Sequence, residues 1–238
     1  MQALGARLGS CEPDALMSAP RAVAFDLDGT LIDTRADIAA ACNHALEKSG
    51  RKALPVGVIA RYVGDGANKL CSRATGLADD DRALEPIVRE FVDWYLQHPV
   101  VETRCMPHCR EMLDALRAAC LPLAVCTNKP SQVASRVLSI LGLADRFVTI
   151  VGGVDTQLPK PSAEPLLLVA ARLRIEPSEL IMVGDGPQDV LAGRAAGART
   201  IGVAGGFAPI DALRGSQPEL LVDSLAQVAP AVERWRQA

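Results

Sequence analysis

Aromatic residues are scarce in this chain: two Trp, two Tyr and four Phe make up 3% of its 238 residues. Its core must be built mostly from Ala, Leu and Val, within a hydrophobic content of 49%. No stretch of about 18 apolar residues occurs, so no membrane span is expected and no membrane partner. The first twenty residues lack the continuous apolar segment of a signal peptide. They read as a flexible N-terminal extension, residues 1–20, within which Met17 is an alternative start. A basic block is missing too: 25 Lys and Arg against 28 Asp and Glu leave a net charge of −3. Nucleic acid is therefore not the expected partner. A small phosphorylated metabolite remains compatible, since a few local donors hold one.

Paired cysteines are also lacking. The seven, Cys11, Cys42, Cys71, Cys105, Cys109, Cys120 and Cys126, are odd in number and mostly embedded in apolar patterns. There a free thiol behaves as a small hydrophobe, and a reducing, cytoplasmic setting fits best. Cys105, His108 and Cys109 lie close together, but no second Cys/His pair with zinc spacing exists, so thiols buried at a helix start are the preferred reading.

What the chain does have is an alternation. Short apolar runs at 22–27, 123–127, 147–151, 180–183 and 200–203, with 220–222 as a further edge, suit parallel strands buried on both faces. Helical patterns run over 107–119, 131–141, 162–174 and 187–196, with Ser131 and Ser162 in N-cap positions and Gly142 and Gly197 after helix ends. Together they predict an α/β fold, a doubly wound parallel sheet over residues 21–33 and 106–238. One interval breaks the rhythm. Between the first two strands the pattern is helical, at 35–49, 56–76 and 80–97, which predicts an all-helical domain over 34–105. Thr34 with Asp37 reads as a capping pair; Ile38, Cys42, Ala45 and Leu46 form one apolar face, and Gly50 ends the helix.

Ligands of open α/β sheets bind beyond the carboxyl ends of the strands. The first strand ends in "DLDGT", with Asp26 and Asp28; Asp-Gly alone is a common turn dipeptide. "VCTNKP" puts Thr127 and Asn128 at the next core strand's end, "QLPKPSAEP" sets Lys160 between Pro159 and Pro161, and "MVGDGPQD" carries Asp185 and Asp189. Carboxylates, a hydroxyl and an ammonium together match phosphoryl transfer: carboxylates hold a hard cation such as Mg²⁺, while Thr and Lys neutralise phosphate oxygens.

From about Arg21 onward the chain resembles the haloacid-dehalogenase-like phosphatases, through Asp26-x-Asp28-Gly29-Thr30, Thr127, Lys160 and Gly184-Asp185-x₃-Asp189 in that order. With "YVGDGANKL" at 62–70 it looks most like the phosphoglycolate phosphatase group. The resemblance implies a Rossmann-like core with a helical cap, Mg²⁺ as cofactor, and Asp26 as nucleophile forming an aspartyl-phosphate. It implies Asp28 as general acid and base. The metal would be held by the Asp26 carboxylate, the Asp28 backbone carbonyl and Asp185, with Thr127, Asn128 and Lys160 on the substrate. Asp189 would orient Lys160 or a metal water, or else simply serve as a helix N-terminal acid. Gly64 and Gly66 would let the cap backbone approach the substrate, or merely start a helix.

Asn43 and His44 are expected on a polar exposed face, with Trp94 and Tyr95 packing the cap. Two departures concern the motifs: Gly186-Pro187 follows Asp185 where Ser or Thr is usual, and Pro107-His108 stands where Pro-Gly is usual. Neither touches the nucleophile. The rivals are a phosphosugar phosphatase of the N-acetylmuramic acid 6-phosphate type, a β-phosphoglucomutase-like mutase and a catalytically inactive phospho-ligand binding module. A dehalogenase fits worse, because Asp28 stands where it typically has no carboxylate. A monomer or homodimer is expected.

Overall fold

The apolar runs become strands. The computed structural model describes residues 19–237, so Cys11, Met17 and all but the end of the expected extension lie outside it. The chain enters through β1 (Ala22–Phe25), passes a two-residue strand β2 (Ile32–Asp33), and runs through helices α1 (Arg35–Lys48), α2 (Val56–Ala60), α3 (Ala67–Thr75) and α4 (Leu84–Gln97). It returns at β3 (Arg104–Cys105). Helix and strand then alternate: α5 (Cys109–Ala118), β4 (Leu123–Cys126), α6 (Ser131–Ile140), β5 (Thr149–Val151), α7 (Glu164–Leu173), β6 (Leu180–Gly184), α8 (Pro187–Ala196), β7 (Arg199–Val203), α9 (Ile210–Gly215), β8 (Leu220–Val222) and α10 (Val228–Gln237).

The main sheet is parallel throughout, in the order β5-β4-β1-β6-β7-β8. β1 is central, and β1, β4 and β6 are buried along their whole length. Alternation sends Val23, Phe25, Val125, Ile181 and Val183 into the larger apolar cluster, each worth roughly 1.5–3 kcal/mol when fully buried. The opposite face carries Ala22, Ala24, Ala124 and Cys126. These small side chains leave room for α7, whose Leu166 and Val169 fill that layer.

The helical interval forms its own apolar layer. Ile38, Cys42, Ala45 and Leu46 of α1 are buried, as are Ile87, Phe91 and Tyr95 of α4. Where the insert leaves and rejoins the core, β2 and β3 pair antiparallel, Ile32 with Cys105 and Asp33 with Arg104. This ladder was not expected in an interval read as purely helical; two residues a side carry too little pattern to be seen.

Several local expectations are corrected. The helix expected over 56–76 is two helices, because Gly64 (φ 125°) and Gly66 (φ 90°) put the chain into a left-handed turn between them. Thr34 does precede α1 but makes no cap bond, and Asp37 does not reach back to it. Instead the buried Asp37 accepts the N–H groups of Val101, Glu102 and Thr103, at 3.0, 2.9 and 2.9 Å, and the Thr103 hydroxyl at 2.6 Å. It clasps the returning leg of the insert to its first helix. Ser131 is already inside α6, and Ser162 lies before the residue that precedes α7, though its hydroxyl accepts the Glu164 N–H.

Asn43 holds both polar groups of the Leu54 backbone, and His44 pairs with Glu90 and stacks on Trp94, so neither is a merely solvated face. His108 adopts φ 61° immediately before α5. The family's glycine at that place is thus explained, and its absence here costs backbone strain.

Candidate active site

The loop after β1 both turns and presents. Asp26 continues the strand, its N–H donating to the Val183 carbonyl at 2.9 Å. The N–H groups of Leu31 and Ile32 then both donate to the Leu27 carbonyl, closing a tight turn. Gly29 makes it feasible: its φ is 91°, and a Cβ there would stand 2.5 Å from Asp185 Oδ2. The turn therefore brings Asp26 and Asp28 to the carboxyl end of the sheet, beside the motif that follows β6.

Lys160 is the electrostatic centre. Its Nζ donates to Asp26 Oδ1 at 2.9 Å, Asp189 Oδ1 at 2.6 Å and the Cys126 carbonyl at 2.6 Å. Three acceptors satisfy the three protons of a fully buried ammonium. Burial alone would lower its pKa; Asp189 and Asp26 reverse that and hold it well above the ordinary value. Asp189 also accepts the Gly186 N–H at 3.0 Å. The helix-terminal acid and the partner of Lys160 are thus one side chain doing both. Asp185 accepts from the Thr30 hydroxyl at 2.9 Å and the Phe207 N–H at 2.6 Å. Burial, and then the charge of Asp26, push the Asp185 carboxyl upward.

Asp26, Asp185 and Asp189 each offer a carboxylate oxygen within 4.8 Å of the others. Hard oxygen donors crowded in a buried place fit a divalent cation such as Mg²⁺. Asp189 is committed to the Lys160 ammonium at 2.6 Å, whereas Asp185 accepts only from neutral donors and Asp26 meets Lys160 through Oδ1 alone, which leaves Asp26 and Asp185 the better placed to ligate.

Thr127, at the end of β4, is buried; its N–H donates to the Val151 carbonyl and its hydroxyl accepts the Lys129 N–H at 3.3 Å. Asn128 ties three segments together. Its amide nitrogen donates to the carbonyls of Gly64 and Lys160, both at 2.9 Å, and its oxygen accepts the Lys160 N–H at 2.9 Å. Gly64 thus meets the core through its carbonyl.

Two further residues belong here. Lys129, only 6% exposed, donates to both oxygens of Asp28 at 3.0 Å and to the Tyr95 hydroxyl at 3.0 Å. Tyr95, expected only to pack the insert, is buried with its hydroxyl in the site. Thr34 completes the shell of Asp28, its hydroxyl donating to Oδ1 at 2.8 Å. Lys129 lay in plain view in "TNKP", directly after a strand end; the pairing with Tyr95 had no signal, because it crosses from insert to core. Insert and core form a pocket of about 40 Å³, partly open to solvent, lined by Asp26, Asp28, Thr127 and Lys129 below and Ile38, Leu70, Phe91 and Tyr95 above.

The chain is similar to known proteins over most of its length. Residues 23–203 match the sequence profile of the haloacid dehalogenase-like hydrolases. The phosphoglycolate phosphatase of Neisseria meningitidis serogroup A is 39% identical over 216 residues, covering 87% of this chain and 92% of that protein. That of Escherichia coli K12 is 34% identical over 232 residues, covering 89% and 92%. A crystal structure described as a predicted phosphoglycolate phosphatase from Haemophilus somnus superposes with a TM-score of 0.81 at 26% identity, covering 90% of this chain and 99% of its own.

Proposed function

The chain belongs to the haloacid dehalogenase-like hydrolase family, and from that membership and the site we propose a Mg²⁺-dependent phosphatase of small phosphate monoesters, phosphoglycolate first among them. One observation carries the reading: at the end of the central strand, Asp26 is held by Lys160 at 2.9 Å with Asp185 and Asp189 beside it. Asp26, Asp185 and the Asp28 backbone carbonyl would hold the cation, which when bound offsets the repulsion between carboxylates and a phosphate dianion.

Lys160 fixes Oδ1 of Asp26, so Oδ2 is the oxygen presented to phosphorus. Its attack forms the aspartyl-phosphate as the ester bond breaks, and Asp28 gives its proton to the leaving alkoxide. Asp28 then takes a proton from the water that hydrolyses the intermediate, releasing phosphate and restoring Asp26. Thr127 takes a phosphate oxygen, while the Lys160 ammonium, its three protons engaged behind Asp26, acts on the phosphate through its charge. Asn128 positions the Lys160 loop and Gly64 rather than holding substrate alone, and Asp189 positions Lys160.

The insert, about residues 34–105, acts as a cap that must lift to admit substrate. The small phosphorylated metabolite is the one partner this reading requires. No helix among the described residues is long and apolar enough to cross a membrane, which suits a cytoplasmic enzyme.

The test is phosphate release from a panel of monoesters with added Mg²⁺ and with excess chelator. Turnover of phosphoglycolate that stops on chelation and returns with Mg²⁺ is expected. Full activity in chelator would refute the metal assignment, and inactivity on every ester would refute the phosphatase.

A further inference from the structure

Lys129 has no part in holding the phosphoryl group in the reading above, yet it is a buried lysine at the site. Its Nζ donates to both oxygens of Asp28 and to the Tyr95 hydroxyl, all at 3.0 Å, and lies 4.3 Å from the centroid of the Tyr95 ring. Three acceptors at hydrogen-bond distance, two of them the oxygens of one carboxylate, make this the surroundings of an ammonium. Among the described residues that line the cavity it is the sole cation; Lys160 lies behind Asp26.

The rest of that lining fixes what the cation is for. The leaving-group end of an ester must lie between the core and Ile38, Leu70 and Phe91, with Asp28 alongside. A neutral leaving group fits such a place without help. An anionic one does not: an unpaired carboxylate is strongly disfavoured among apolar side chains. Among the described residues of that lining, Lys129 is the one that offers it an opposite charge. A lysine head is a point charge on a flexible stem, so one of its two bonds to Asp28 is readily exchanged for a bond to a new oxygen.

We propose that Lys129 is the specificity-determining residue, taking a carboxylate on the substrate in exchange for one bond to Asp28. The site thereby selects phosphate monoesters that carry a carboxylate close to phosphorus over neutral esters of the same size. The exchange also frees an Asp28 oxygen to face the ester bridge. The inference rests on the phosphatase reading and adds the substrate class to it.

The experiment compares kcat/KM for 2-phosphoglycolate and for 2-hydroxyethyl phosphate, its neutral counterpart, in the full chain with Mg²⁺. The wild type is expected to prefer the carboxylated ester by on the order of 10- to 100-fold, the range of a charge-assisted hydrogen bond. Lys129→Met should lose that preference, the ratio of kcat/KM for phosphoglycolate to that for the neutral ester falling toward one, beyond any loss common to both esters through Asp28. Lys129→Arg, which keeps the charge, should retain most of it. Equal loss on both esters in Lys129→Met would overturn the proposal, since Lys129 would then act only through Asp28. So would a wild type with no preference, a measurement that needs no variant to fold. Activity on an aryl phosphate with equal rates on the two test esters sinks the role of Lys129 alone. No activity on any ester sinks the phosphatase instead.

Discussion

Removing the Asp37 carboxylate should loosen the cap from its own first helix. In Asp37→Ala three backbone N–H groups and a hydroxyl lose their acceptor. Val101 and Glu102 are exposed, so water replaces the carboxylate at two of them. Thr103 is 1% exposed, and its N–H and hydroxyl are left without a partner. Hydrogen bonds to a charged group are worth roughly 1.5–3 kcal/mol each, so two unreplaced ones predict a loss of about 3–6 kcal/mol. In Asp37→Asn the amide oxygen takes over Thr103, while the NH₂ faces the Glu102 N–H; about half that loss is expected.

Urea unfolding reads it out, the midpoint falling by about 1 M or more in Asp37→Ala at neutral pH. The two tryptophans separate the parts: Trp94 lies on α4 in the insert and Trp235 on α10 in the core. With Trp235 replaced by Phe, the remaining fluorescence should show the insert melting first. Acid supplies the second check. Burial acts to raise the Asp37 pKa, but the Thr103 hydroxyl and the three N–H groups outweigh it and hold the carboxyl below 3.8. Its contribution is therefore present above that ordinary value and lost as pH falls through the lowered folded value, so wild type and Asp37→Ala should converge only in strong acid. A loss below about 1 kcal/mol at neutral pH, or a gap that does not close in acid, would refute the clasp.

Asp26→Asn should fold and form no covalent phosphoryl intermediate by intact-mass analysis, because an amide is a far poorer nucleophile than a carboxylate. Asp28→Asn should fail most on alkyl esters and be partly spared on an activated aryl phosphate, a contrast that steady-state rates on the two substrate types would show. Lys160→Met leaves Asp26 and Asp189 buried without their cation; a loss of about 3–5 kcal/mol in urea unfolding, with no turnover, is expected, and near-native stability would refute the triad. His108→Gly relieves a left-handed residue and should raise the urea midpoint, by about 1 kcal/mol in stability, with kcat unchanged.

The sheet was legible because its strands are short, apolar and bounded, and the carboxyl-end rule then carried Asp26, Thr127, Lys160 and Asp185 to one edge. Helix ends set by glycine were legible too, as at Gly142 and Gly197. What escaped was anything decided across the fold. Asp37 stands where a capping acid stands, but 64 positions later a strand of N–H groups claims it. Lys129 and Tyr95 are unremarkable in their own segments; only the descent of one layer on the other makes them a pair. α9 and α10 were missed for a different reason, since α9 is short and Pro230 sits early in α10.

A cavity of about 40 Å³ has room for a few waters and for no phosphate ester. The pocket is partly open to solvent but narrower than an ester, so the insert has to shift for substrate to be seated. Every turnover must include an opening and a closing, and the opening rate sets a ceiling on kcat that no improvement in the chemistry can lift. The opening equilibrium enters binding as well: if roughly one molecule in a hundred is open, the observed Kd is about a hundredfold weaker than that of the open form. Weakening the Lys129–Tyr95 or Asn128–Gly64 contact would then speed entry and exit while loosening the hold of the insert on Lys129 and on the Lys160 loop. Speed of access and order in the site are set against each other by the same few hydrogen bonds.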